Sequence, residues 1–153
     1  FLMRIQLGYP DPTDEVLIMD AQRLAHPIEE LGAVVDQNDL LELKAAVNEV
    51  YVDSLVKQYI VSIVNKTRVH KAVYLGSSPR GSLGLLRCAQ SFALLNERDF
   101  VEPDDVKKLA YSVLAHRLII NPASELGDMT ANEVISQILE TTAVPGVQSR
   151  QGA

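Results

Sequence analysis

Val56, Tyr59, Ile60, Ile63 and Val64 recur at three- and four-residue spacing, so a helix opened by Asp53 or Ser54 carries all five on one side. A stripe of that kind has to be buried against another element. It is not alone. Leu40, Leu43, Val47 and Val50 form a second set, and Leu83, Leu86, Ala89, Phe92 and Ala93 a third. Val106, Leu109, Ala110, Val113 and Leu114 make a fourth, and Val134, Ile135, Ile138 and Leu139 a fifth. Adding a first helix with Leu17, Ala21 and Leu24 on one side, the pattern predicts an all-α fold. It is a helical bundle of about six helices burying their stripes on one another. Trp is absent and aromatics are only 5%, so the core must rest on Leu, Ile, Val and Ala.

The ends of these helices are legible too. Thr13 is expected to cap the first, which runs to about Ala25 and is stopped by Pro27. Asp36 or Asn38 opens the second, and the third ends near Arg68. A fourth opens at Ser78 with Pro79 at its first position and ends near Leu95. Glu102, or the residue before it, caps a fifth, where Pro103, Asp104 and Asp105 suit the positive end of the helix dipole. Thr130 and Glu133 have the spacing of a capping box for the last helix. Between helices little is strand-like. Phe1–Leu7 reads as an orphan strand followed by a turn over Gly8–Pro12. Phe100-Val101 is a short extended pair. Leu118-Ile119-Ile120 is expected to form a very short pairing with Val34-Val35. Residues 145–153 are polar and are expected to be a disordered tail.

One turn departs from what helix stability alone selects. Gly76-Ser77-Ser78-Pro79-Arg80-Gly81-Ser82-Leu83-Gly84 feeds a helix whose first turn holds a cation and whose interior holds two glycines. An arginine there is disfavoured by roughly 0.3–1 kcal/mol, and each glycine costs about 1 kcal/mol relative to Ala. Free N–H groups, small residues and a guanidinium at one helix end suit an anion such as a phosphate. The plainer reading is a surface arginine on a weakened helix. The turn lies in a positive block. Residues 54–96 contain no Asp or Glu but carry Lys57, Lys66, Arg68, Lys71, Arg80 and Arg87, although the whole chain has net charge −6. Such a block attracts an anionic ligand or an acidic surface, or simply decorates two solvated helix faces.

Other chemistry finds no support. His26, His70 and His116 have no helical ligand spacing and no H-E-x-x-H occurs, so a metal site is not expected. Neither G-x-S-x-G nor the P-loop pattern is present. Cys88 stands alone among apolar residues and reads as packing. No apolar run reaches the length of a membrane span.

A set of short motifs carries a resemblance over roughly Phe1 to Val144. They are Tyr9-Pro10-Asp11, Val52-Asp53 with Tyr59, Thr67-Arg68, and Gly76-x-Ser78-Pro79-Arg80. Arg98-Asp99-Phe100-Val101-x-Pro103-x-Asp105-Val106 and Leu114-x-His116-Arg117 complete the set. In this order and spacing the chain resembles the C-terminal part of MoxR-type AAA+ ATPases. The resemblance implies that residues 1–12 are the last core strand and hinge, and that residues 13–144 are the helical lid. It implies that Arg80 is the sensor 2 arginine contacting the γ-phosphate of ATP, with Ser78, Pro79 and Gly81 on the phosphate side. It implies ATP and Mg2+ as cofactors of a longer protein, with the P-loop and other catalytic groups upstream of Phe1, so that this stretch alone is not catalytic. It further implies a homo-oligomeric ring, commonly a hexamer, chaperone-like remodelling of partners that include von Willebrand factor A domain proteins, and a cytoplasmic location. The alternative is a helical module in which Lys57–Arg87 binds nucleic acid or an acidic protein. The acidic net charge and scarce aromatics weigh against nucleic acid. A third reading is a helical domain with no ligand.

Overall fold

The computed structural model describes residues 1–122 and 129–146. Within them lie six α-helices: α1 (Pro12–Ala21), α2 (Gln37–Glu49), α3 (Ser54–Val69), α4 (Pro79–Leu95), α5 (Pro103–Leu114) and α6 (Ala131–Thr141). Two short strands, β1 (Val73–Leu75) and β2 (Ile119–Ile120), form an antiparallel pair. The all-α class and the very short two-strand pairing are therefore both present. The expected tail at 145–153 lies mostly outside the described residues.

The chain divides into two compact units, one of residues 1–4 with 45–153 and one of residues 5–44. In the larger unit α3 is the central element. All five residues of its predicted stripe are buried, together with Thr67. Asp53 caps it, its Oδ1 accepting from the Leu55 N–H at 2.7 Å. Ile63, Val64, Leu85, Val106, Val113, Leu114, Val134 and Ile135 have no exposed surface. Burying each such side chain contributes about 1.5–3 kcal/mol.

α4 turns a different face inward from the one its larger residues suggest. Leu83 is exposed and Leu86 and Phe92 are half-buried, whereas Gly81, Gly84, Leu85, Cys88, Ala89 and Ala93 are buried. Space explains it. A Cβ at Gly81 would lie 3.2 Å from Leu114, and one at Gly84 would lie 3.4 Å from Val113, both on α5. The small-residue face lets α4 approach α5 closely, and that geometry outweighs the pull of the bulkier residues. The glycines that look like a weakness in the isolated helix thus serve packing.

α5 begins with a reciprocal cap. The Glu102 N–H donates to Asp105 Oδ2 at 2.9 Å. Asp105 is buried and also receives both arms of Arg98, at 2.8 and 2.7 Å. Arg98 further donates to the Phe100 carbonyl at 3.1 Å. Hydrogen bonding to Asp105 holds the Arg98 guanidinium above its usual pKa. The corner between α4 and α5 is therefore clamped, and the Phe100-Val101 pair meets Tyr51 in a parallel bridge.

Three local expectations are corrected. Residues 1–11 form no strand: the Arg4 N–H donates to the Ser112 carbonyl, but the carbonyls of Phe1 and Leu2 are taken by Arg117. Without a ladder partner among the described residues, alternation alone does not make a strand. β2 pairs with Val73–Leu75, not with Val34-Val35, and the Asn121 N–H extends the pairing to the Ala72 carbonyl. The connector after α3 belongs to the same unit as β2, while Val34-Val35 belongs to the other. Finally, Asp11 rather than Thr13 caps α1. Its carboxylate accepts from the N–H groups of Thr13 and Asp14, and Pro12 fills the first helical position. The helix then stops at Ala21, short of Ala25.

In residues 5–44 no residue is buried. Val16, Leu17, Ile18 and Met19 are consecutive and so spread around α1 instead of forming a stripe. This unit is held by local bonds. Asp36 caps α2 through the N–H groups of Asn38 and Asp39, and its own N–H donates to Asp39.

Candidate functional site

The turn at 76–78 lies against the C-terminal end of α3. Gly76 makes the approach possible, since a Cβ there would come within 2.6 Å of Arg68 Cα and 2.7 Å of the Thr67 carbonyl carbon. Only a residue without a side chain fits. Ser77, next in the chain, is buried, and both polar groups of its backbone are held by α3. Its N–H donates to Thr67 Oγ1 at 3.0 Å, and its carbonyl accepts from Arg68 Nε at 2.8 Å. Thr67 is itself fixed by donating to the Val64 carbonyl at 2.6 Å, and Arg68 by donating to Asn65 Oδ1 at 3.0 Å.

Ser78 then occupies the N-cap position with extended backbone, and Pro79 begins α4, as the sequence predicts. The Ser78 hydroxyl, however, makes no capping hydrogen bond. The Gly81 N–H closes the turn by donating to the Ser78 carbonyl at 2.8 Å. Gly81 is buried, and a Cβ on it would overlap Ser77 Oγ, so its role within the chain is to let the turn close. Ser78, Pro79 and Arg80 are exposed. Among the described residues Arg80 makes no hydrogen bond or ion pair. A rigidly seated helix start thus presents one uncommitted guanidinium to solvent.

Three of the other five cations in the positive block have polar partners, while Lys57 and Lys71, like Arg80, have none among the described residues. Lys66 donates to the Thr141 carbonyl at 2.6 Å at the end of α6, Arg68 holds Ser77, and Arg87 donates to Asn48 Oδ1 at 2.6 Å. Half of the six cations are therefore hydrogen-bonded within the fold, all to neutral acceptors, and Arg68 and Arg87 stay exposed.

The histidines also have local partners. His26 Nδ1 accepts from the Ile28 N–H, and His70 Nδ1 accepts from the Ala72 N–H while Nε2 faces Gln137. His116 Nε2 lies 3.4 Å from the Phe1 carbonyl. Burial pushes the Cys88 thiol above its usual pKa despite Arg117 nearby. Among the described residues no group of three or more His, Cys, Asp or Glu side chains is placed to hold a metal ion. No helix of the described residues is long and apolar enough to cross a membrane.

Two features escape a reading by residue type. Thr67 and Arg68 appear as a motif with no assigned task, and Asp105 is read only as an acid suited to the helix dipole, not as the partner of Arg98. Gly76 beside Ser77 is the signal for the first, because a glycine before a helix start marks a close backbone approach. The reciprocal spacing of Glu102 and Asp105 is the signal for the second.

The AAA lid domain family matches residues 65–138, a span that includes Lys66-Thr67-Arg68, the 76–81 turn and the α4–α5 corner. The chain is 40% identical over 145 residues to the uncharacterized protein YeaC of Bacillus subtilis, covering 95% of this chain and 45% of that protein. It is 32% identical over 158 residues to the chaperone MoxR1 of Mycobacterium tuberculosis, covering 97% and 41% respectively. It superposes with a TM-score of 0.86 on the crystal structure of a Cytophaga hutchinsonii protein thought to be an ATPase. That match has 29% identity and covers 94% of this chain and 46% of that one. The chain belongs to the lid domains of MoxR-type AAA+ ATPases. It spans less than half the length of these relatives.

Proposed function

We propose that this chain is the nucleotide-sensing lid of a longer ATPase, in which Arg80 acts as the sensor 2 arginine and reaches the γ-phosphate of ATP. The observation that carries this reading is the state of Arg80. It is exposed and without a polar partner among the described residues, at a helix start whose preceding residue is held from both sides. A guanidinium kept free of internal ion pairs suits charge that builds up on a transferring phosphoryl group. Ser78 and Pro79 border the phosphate side, with Gly81 behind them. ATP supplies the phosphoryl group when bound, with Mg2+ held by residues other than those described here.

In this reading residues 1–12 are the end of the ATPase core and its hinge, residues 13–144 the lid, and residues 145–153 a tail. The chain does not hydrolyse ATP alone. Lid movement couples ATP binding and hydrolysis to chaperone-like remodelling of partner proteins, among them proteins with a von Willebrand factor A domain. The working form is a cytoplasmic homo-oligomeric ring, a hexamer. The name of the Mycobacterium tuberculosis relative, a chaperone, supports the remodelling role.

The test is Arg80→Ala in the full-length ATPase. The expected result is a fall in ATP turnover of roughly 10³-fold, the lower end for an arginine at a transferring phosphoryl group. Turnover equal to wild type would overturn the reading.

A further inference from the structure

We propose that Thr67 and Arg68 are positioning residues for Arg80, a strap from the end of α3 that sets where the guanidinium points. The inference rests on the reading of Arg80 given above. α1, α3 and α6 are each capped by a side chain at their own N-terminus: Asp11, Asp53 and Thr130. α4 is not, since the Ser78 hydroxyl makes no capping bond. Its start is instead fixed from another helix. Thr67 Oγ1 takes the Ser77 N–H and Arg68 Nε donates to the Ser77 carbonyl, so both adjacent peptide planes are held. Rotation about Ser77 swings everything that follows, and Arg80 is three residues on. Gly76 lets the turn lie close against the Arg68 backbone, and Gly81 leaves room for Ser77 Oγ.

The strap is well anchored. Arg68 is steadied by Asn65 and Thr67 by Val64, one turn back on α3. The neighbouring Lys66 ties the same end of α3 to the last carbonyl of α6. Side chains that only satisfied a buried serine would act on stability alone. Positioning residues act through Arg80, and a double-mutant cycle separates the two.

The experiment uses the full-length ATPase and measures binding of ADP and of a non-hydrolysable ATP analogue to wild type, Arg80→Ala, Arg68→Ala and the double variant. Arg80→Ala is expected to lose the preference for triphosphate. Arg68→Ala is expected to lose roughly tenfold to a hundredfold of it, the scale on which a misplaced group tells, with ADP affinity unchanged. The double variant is expected to be no worse than Arg80→Ala. If Arg68→Ala keeps the preference that Arg80→Ala loses, or the two losses multiply, the strap is overturned and the sensor reading stands. If Arg80→Ala keeps the preference, both fall. Should Arg68→Ala fail to fold by circular dichroism, Arg68→Lys is judged by the same criteria, because a lysine lacks the Nε donor.

Discussion

Residues 5–44 and the α3–α6 bundle begin their helices with equal care and end with opposite degrees of burial. α1 has an aspartate cap, a proline at the first position and acids in its first turn. α6 has a capping box, and its neighbour α5 a buried clamp. Yet none of residues 5–44 is buried, while the bundle encloses a continuous core. For α1 the difference lies in the order of apolar residues. Val16 to Met19 are contiguous and point around the helix, whereas Val56 to Val64 are spaced to point one way. Caps decide where a helix starts, each worth typically about 1 kcal/mol. Periodicity gives a helix a face to bury but does not by itself bury it, since Leu40 and Leu43 of α2 are helically spaced and exposed.

The sharpest way to break this contrast is a paired truncation. Ile63→Ala is expected to destabilise the bundle by about 2–5 kcal/mol, because Ile63 is fully enclosed. Leu17→Ala is expected to stay within about 0.5 kcal/mol. Urea unfolding followed by circular dichroism reads both, and comparable losses would show that α1 contributes to a shared core.

A second pair uses glycines. Gly76→Ala puts a methyl against the Arg68 backbone and is expected to cost about 1–3 kcal/mol, as overpacking does. Gly32 has open space around it and no positive φ, so Gly32→Ala is expected to shift stability by less than about 1 kcal/mol. Equal midpoints for the two variants would mean that the turn yields without cost.

The smallest effect concerns pH. Hydrogen bonds from Thr130 hold the Glu133 carboxylate below its usual pKa. Its contribution is therefore fully present above the unfolded value and fades as pH falls through the lowered folded value. Thermal midpoints measured from neutral to acidic pH are expected to fall slightly less steeply in Glu133→Gln than in wild type. Asp104, lowered by Lys107, behaves with the same sign. Parallel profiles would indicate that the α6 cap does not feel the charge.

Most of the bundle is legible from residue order. The stripes of α3, α5 and α6 are the ones that are buried, and Asp53, Pro79, Pro103 and Thr130 open helices where their chemistry says. The candidate site is legible as a place: Ser78 and Pro79 open a helix with Arg80 in its first turn, while Arg80's lack of a polar partner among the described residues shows only in the structure. How that place is held is not legible, because Thr67 and Ser77 are ten residues apart and their bond depends on the connector folding back. Asp105 illustrates the same limit. Beside Asp104 it reads as one of two acids complementing the helix dipole, and only the α4–α5 corner brings Arg98 onto it.

By itself, then, the sequence determined which segments are helical and that an arginine stands in the first turn after Pro79. Those properties depend on neighbours within about two turns. Tertiary structure decided which face of α4 goes inward, which strand pairs with Ile119–Ile120, and that the helix before the turn holds the turn in place. Each of these depends on how closely two backbones approach, and for α4 and the turn that approach is permitted by glycines whose importance shows only when another chain segment arrives.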